Sequence, residues 1–172
     1  MNRILSIAIA GAVAAGCASM GTSGPSAVAN LEPTTGNTTK GTVSFTQVGD
    51  KVRVSAQLTG LKPDGEHGFH VHDKGDCSSG DGMSAAGHFN PAGKPHGPMA
   101  AADHHAGDMP NVKADSYGNA NVSFEVPGLA IGSGASNIVG RGLIVHRDPD
   151  DYKSQPAGNA GPRLACAVIR SS

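Results

Sequence analysis

Eight histidines fall unevenly along the 172 residues: His67, His70 and His72 together, His88, His96, His104 and His105 in one polar stretch, and His146 at the end of an apolar run. In Gly68-Phe69-His70-Val71-His72 the imidazoles alternate with apolar residues, the period of a strand, so His70 and His72 share one face. Two imidazoles side by side pack poorly, because each ring nitrogen needs a partner when buried, but they suit a metal ion. His88, His96 and His105, with Asp108, supply three imidazoles and one carboxylate, the complement of a closed tetrahedral Zn²⁺ site. His70, His72 and His146 remain; imidazoles without thiolate suit Cu(II) or Zn(II), and spacing alone does not choose between them. His88 lies between the two clusters and could serve either metal, or both if its ring loses the second proton. Two plainer readings stand beside these: a half-exposed histidine pair on an edge strand, and a solvated His-rich loop that binds metal weakly.

The elements that must position these residues are strands. Ala27 to Leu31, Gly41 to Phe45, Val52 to Leu58, the run carrying His70 and His72, Ala120 to Val126, Ile138 to His146 and Arg163 to Ile169 read as short strands. Turn-rich segments such as Val48-Gly49-Asp50-Lys51 and Leu61-Lys62-Pro63-Asp64-Gly65 separate them. No sustained helical period and no internal repeat is present after the first residues. Seven or eight such strands predict an antiparallel β-sandwich or flattened barrel. Two stretches lack any apolar period, Asp73 to Asn111 and Arg147 to Pro162; the first is too polar to pack on its own account, and bound metal would supply its order.

The N-terminus reads differently from the rest. Residues 1–16 carry one positive charge, Arg3, and then an apolar run too short to span a bilayer, the anatomy of a signal peptide. Ala14-Ala15-Gly16-Cys17 is similar to the lipobox of bacterial lipoproteins, which would make Cys17 an acylated N-terminus; ordinary cleavage nearby would instead leave it a free thiol. Residues 17–26 then form a flexible tether and 27–172 the folded domain. With Cys17 lipidated, Cys77 and Cys166 are the single possible disulfide in an exported chain, the alternative being two unrelated buried thiols. With 13 Lys and Arg against 14 Asp and Glu, no Trp, 25 Gly and 11 Pro, nothing suggests a nucleic-acid surface. Removing Arg3 with the leader leaves 12 basic side chains against 14 acidic ones, so attraction of a charged substrate would need local fields rather than net charge.

Six segments now carry a family resemblance. Gly68 to His72, Gly87-His88-Phe89-Asn90-Pro91, His96-Gly97, His105-Ala106-Gly107-Asp108-Met109-Pro110-Asn111, Gly140-Arg141-Gly142-Leu143-Ile144-Val145-His146, and Gly158-Asn159-Ala160-Gly161-Pro162-Arg163-Leu164-Ala165-Cys166 resemble, in order and spacing, the copper,zinc superoxide dismutases. The resemblance covers about Ala27 to Arg170 and sharpens the fold to an immunoglobulin-like Greek-key sandwich of about eight strands with two long functional loops. It implies copper ligands at His70, His72 and His146, a bridging imidazolate at His88, and zinc ligands at His96, His105 and Asp108. His104 neighbours the zinc position without matching it, and His67 matches a structural histidine. Asp150 matches the carboxylate that ties a copper ligand to a zinc ligand. Cys77 and Cys166 match the family's disulfide, and Arg163 the arginine that draws in and orients the anion. Lys74 and Lys153 could add positive potential. The second long loop resembles the bacterial branch, and the steering charges of the animal enzymes have no clear counterpart in it.

The implied activity is disproportionation of superoxide to dioxygen and hydrogen peroxide by a redox-cycling copper bridged to a structural zinc, with His88 and Arg163 as the catalytic side chains. The expected partners are superoxide and, through the N-terminal lipid alone, a membrane; the expected assembly is a monomer or homodimer. The expected location is the periplasmic face of a bacterial membrane, or the soluble periplasm if Cys17 is not lipidated, where the enzyme would protect the envelope from external superoxide. The alternative is a lipoprotein of the same fold that binds copper and zinc without turnover.

Overall fold

A computed structural model describes residues 24–172, so the leader, Cys17 and most of the tether lie outside the described residues. The alternation of apolar and polar side chains is clearest in β3, Lys51–Thr59, where Val52, Val54, Ala56 and Leu58 are buried and the residues between them face outward. It pairs along its full length with β2, Lys40–Val48, across the two-residue Gly49-Asp50 turn, in which Gly49 takes a φ of 60°. On its other side lies β7, Ala120–Pro127.

The first strand, β1 (Ser26–Pro33), joins two halves of the sheet. Ser26 to Leu31 pair with β2, whereas Glu32 and Pro33 pair with Cys166 and Ala165 of β9, Arg163–Val168. Beyond β9 come β8, Gly142–His146, and β5, Phe69–His72, giving the order β5-β8-β9-β1-β2-β3-β7, all antiparallel. The final strand β10, Arg170–Ser171, pairs with the start of β1, and the two-residue strands β4, Glu66–His67, and β6, Val112–Lys113, pair with each other. The chain thus crosses from β7 at one edge to β8 beside the other, the long connection of a Greek key. The sheet curls around a core in which Phe45, Val54 and Leu58 come from one half and Phe69, Val71, Leu143 and Val145 from the other.

Three expectations are corrected. β1 extends past Leu31 through Pro33, whose missing N–H is tolerated at the strand's last position. The strand ending at His146 starts at Gly142 rather than Ile138, because Gly140 takes a φ of 84° in a turn. The loop from Asp73 to Asn111, though it holds only the short 3₁₀ turn Met83–Ala85, does have apolar anchors: Ala85, Phe89 and Met109 are all buried. Isolated apolar residues leave no period in the sequence, so their burial has no signature there. Among the described residues no helix is long and apolar enough to cross a membrane.

Candidate metal centre

The free edge of β5 builds the site. Val71 donates its N–H to Gly107 O (3.0 Å) and accepts from Phe89 N (2.8 Å), so the first long loop returns twice to this edge and covers it. These returns place His88 opposite His72 and Asp108 opposite His70 as isolated bridges. Gly107 is required here, since a Cβ would strike the Val71 carbonyl. On the paired side, His72 faces Gly142 of β8, where a Cβ would stand 2.6 Å from Lys74 O and 3.3 Å from His72 Cβ. His146 ends β8 and pairs with Arg163 at the start of β9. Strand period, loop return and cross-strand register thus bring seven buried side chains together at the β5 edge of the sheet.

They form two groups of four ligand atoms, His70, His72, His88 and His146, and His88, His96, His105 and Asp108, each with its atoms within 4.8 Å of one another. Every residue that the sequence placed in a metal site is in one of these groups, and His88 is in both. His104 and His67 are in neither: the first binds His105 O through Nδ1 (2.6 Å) and the second donates Nδ1–H to His146 O (2.9 Å).

Hydrogen bonds decide which ring nitrogen each histidine leaves free. His72 donates Nδ1–H to Ala86 O (2.9 Å) and His146 donates Nδ1–H to Gly161 O (3.1 Å), so their Nε2 atoms face each other at 3.3 Å. His70 donates Nε2–H to Asp150 Oδ2 and His96 donates Nε2–H to Asp150 Oδ1, both at 2.9 Å, which ties the two groups together through one carboxylate. Among the ligand histidines, His70 Nδ1, His88 Nε2 and His96 Nδ1 are buried without a hydrogen-bond partner, as is Nε2 of the non-ligand His67. An unpartnered buried polar atom costs about 1 to 3 kcal/mol, and several converging lone pairs fit a bound cation. On the other side, Asp108 Oδ1 lies 2.7 Å from His88 Nδ1 and 3.3 Å from His105 Nδ1, while its Oδ2 accepts from the backbone of His105 and Gly97. Three imidazoles and one oriented carboxylate match zinc, and four imidazoles suit copper or zinc.

Burial sets the charge state. It pushes His70 and His72 well below the ordinary imidazole value of 6.5, an effect to which neighbouring His88 and His146 add. Burial likewise brings His146 to about 4 and lowers His105. For Asp108 burial alone would raise the carboxyl, but the hydrogen bond and charge of His88, with His105 and His96, outweigh it and bring Asp108 to about 2. At neutral pH these rings are therefore neutral and Asp108 is ionised, the protonation states that metal ligation needs.

Arg163 is half-buried beside this centre. It donates Nη1–H to Gly82 O and Nη2–H to Ala86 O, both at 2.6 Å, which fixes the guanidinium plane. Burial lowers its pKa without neutralising it. With His146, Met83, Gln155 and Gly161 it lines a cleft of about 220 Å³; the exposed Lys74 and Lys153 are not in its wall. Cys77 and Cys166 are disulfide-bonded, which ties the start of the first loop to β9. The sequence reading missed the acceptors Gly82, Ala86 and Gly161, which act through main-chain carbonyls that every residue has. It also missed Asn111, whose side chain binds both the N–H and the C=O of Asp150 at 2.9 Å.

A buried imidazole shared by two four-atom groups, at the end of a curled antiparallel sheet, defines a dinuclear metal-binding β protein. Residues 39–169 match the family described as copper/zinc superoxide dismutase (SODC), and the chain belongs to that family. It is 42% identical over 134 residues, 76% of this chain and 78% of the relative, to superoxide dismutase [Cu-Zn] 2 of Aquifex aeolicus (strain VF5). It is 43% identical over 150 residues, 84% of this chain and 77% of the relative, to superoxide dismutase [Cu-Zn] of Paramecium bursaria Chlorella virus 1. Among solved structures, the crystal structure of the clock protein EA4 superposes with a TM-score of 0.77 at 40% identity, covering 87% of this chain and 96% of that one. The chain is a superoxide dismutase whose cofactors are copper and zinc.

Proposed function

We propose that the chain disproportionates two superoxide ions and two protons to dioxygen and hydrogen peroxide, with copper held by His70, His72, His88 and His146 and zinc by His88, His96, His105 and Asp108. The observation that carries this reading is the ring of His88, which belongs to both buried groups, with Nδ1 on Asp108 at 2.7 Å and Nε2 buried without a hydrogen-bond partner. When bound, copper supplies the one-electron couple that oxidises one superoxide and reduces the next, and zinc supplies a fixed charge. The side chains do the rest. Arg163, held flat by two carbonyls, draws the anion into the cleft and orients it beside His146. His88 Nε2, in the half of the cycle in which it is not engaged as a ligand, would take a proton from solvent and give it to the departing peroxide, while water supplies the other. Asp150 and the carbonyls of Ala86 and Gly161 keep the rings from rotating or changing tautomer.

The test is to load the domain with both metals and follow superoxide decay directly, then repeat with His146→Ala and Arg163→Ala. His146→Ala should lose copper and activity. Arg163→Ala should keep both metals yet fall about 10- to 100-fold at low ionic strength, with a flattened salt dependence. Metal-loaded wild type no faster than these variants would favour a protein that binds copper and zinc without turnover.

The location proposed is the bacterial envelope, with residues 1–16 removed, Cys17 acylated and 17–26 a tether for the catalytic domain of 27–172, where the enzyme would meet external superoxide. A diacylglycerol mass on the peptide beginning at Cys17 would support this; an unmodified peptide would refute it. Monomer and homodimer are both compatible with this arrangement, and sedimentation at several concentrations separates them.

A further inference from the structure

We propose that Gln155 is a positioning residue for His96, and through it couples zinc-side occupancy to the shape of the cleft mouth. This rests on the assignment of zinc to the group containing His96.

Gln155 reads both main-chain groups of His96 with one side-chain amide: Oε1 accepts from His96 N at 2.9 Å and Nε2 donates to His96 O at 2.8 Å. Five residues earlier on the same loop, Asp150 holds the ring of His96 through Nε2. The second loop therefore grips His96 at three atoms and leaves free Nδ1, which lies 3.1 Å from Asp108 Oδ2. The segment between the two grips is itself locked. Asp151 Oδ1 accepts from the backbone of Lys153 (2.9 Å) and Ser154 (2.8 Å), and Ser154 Oγ donates to Asp151 Oδ2 (2.6 Å). Movement at His96 is thus passed to Gln155 rather than absorbed between the grips.

Gln155, Pro156 and Ala157 also form part of the cleft wall that contains His146 and Arg163. Asp150 reaches the copper side through His70, inside the protein; Gln155 reaches it from outside, through the wall along which an anion approaches. With zinc bound, His96 is fixed, its backbone fixes the Gln155 amide, and the wall takes one position. Without zinc, His96 loses its ligand bond, and the Gln155 amide is anchored to a less restrained residue.

The test compares Gln155→Leu, which removes both bonds at similar volume, with Gln155→Glu, which keeps the acceptor for His96 N–H and loses the donor to His96 O. Gln155 is exposed, so both variants are expected to fold. The readouts are the rate of zinc release to a chromophoric chelator, the visible spectrum of Co(II) placed on the zinc side, and amide exchange of residues 154–160 with and without zinc. For Gln155→Leu the expectation is zinc release about tenfold faster, a displaced Co(II) band and exchange at 154–160 that no longer responds to zinc, with Gln155→Glu intermediate. Zinc release, Co(II) spectrum and exchange in Gln155→Leu equal to wild type would overturn the inference and leave the zinc assignment standing. Tight zinc binding that survives His96→Ala would overturn the assignment, and this inference with it.

Discussion

Gly158→Ala tests the bridge between the two metal groups with a single methyl. Gly158 is buried with a φ of 64°, and a Cβ built there overlaps Asp150 Oδ1 outright, standing 2.6 Å from Asp150 Cγ and 2.7 Å from His96 Nε2. Two costs add. An alanine held in the left-handed region loses about 1 to 2 kcal/mol. Displacing the carboxylate breaks its hydrogen bonds to the neutral ring of His70 and to His96, both fully buried, and a buried carboxylate left without its partners costs about 3 to 5 kcal/mol. The expected loss is therefore about 4 to 7 kcal/mol if the loop stays in place, and less if Arg147 to Pro162 swings away. Either route frees both rings, so affinity for zinc should fall about 10- to 100-fold. Gly128→Ala is the control: it lies outside both long loops, its φ is 77°, a Cβ there meets nothing within 4 Å, and the conformational cost of about 1 to 2 kcal/mol should appear alone, with metal retention unchanged. Urea unfolding and chelator competition on both variants provide the comparison. Equal losses in stability and equal zinc retention would show that Asp150 is not held against Gly158, and the bridge would fail as an account of how the groups are coupled.

Three further outcomes are expected. Ala86, whose carbonyl serves both His72 and Arg163, sits at φ 62° and ψ −150°, a region nearly reserved for glycine; Ala86→Gly should stabilise the fold by about 1 kcal/mol, raising Tm by about 2 to 4 °C, and a lower Tm would refute the strain. Replacing Cys77 and Cys166 by serine opens a closure between residues 89 apart, for which chain entropy predicts a loss of about 4 to 5 kcal/mol; a loss under about 1 kcal/mol in urea unfolding would mean that the first loop is held by Phe89 and Met109 instead. In the metal-free protein the folded state binds fewer protons than the unfolded state between about pH 4 and 6.5, so the contribution of His146 is complete above 6.5 and is lost as pH falls toward 4. The step from 6.5 to about 4 is worth about 3 kcal/mol, His70 and His72 act in the same direction, and urea midpoints that do not fall between pH 7.5 and 5 would contradict it.

The strand framework and the ligand types were readable because both are written in side chains. Val52 to Leu58 alternates visibly, and the same period in Phe69 to His72 sends His70 and His72 to one face while Phe69 and Val71 enter the core. Asp150 and Arg163 could be named through family resemblance alone, since an aspartate four residues past a histidine has no meaning without the fold. What the sequence hid is main-chain and conformational. The carbonyls of Ala86 and Gly161 decide which nitrogen of His72 and of His146 is left for a metal, yet any residue could supply them; only the backbone angles aim them. The first long loop was hidden for a related reason: Phe89 and Met109 hold it through two isolated side chains, while Val71 binds it through main-chain groups that carry no residue code. Zinc therefore acts on a loop already pinned to β5 and to the core, so its ordering effect should concentrate between the pins, in residues 90–106, where His96 lies. Loss of zinc should raise amide exchange there and leave Phe89 and Gly107 protected. Uniform loosening from Asp73 to Asn111 would show that the metal, and not the strand edge, holds the loop.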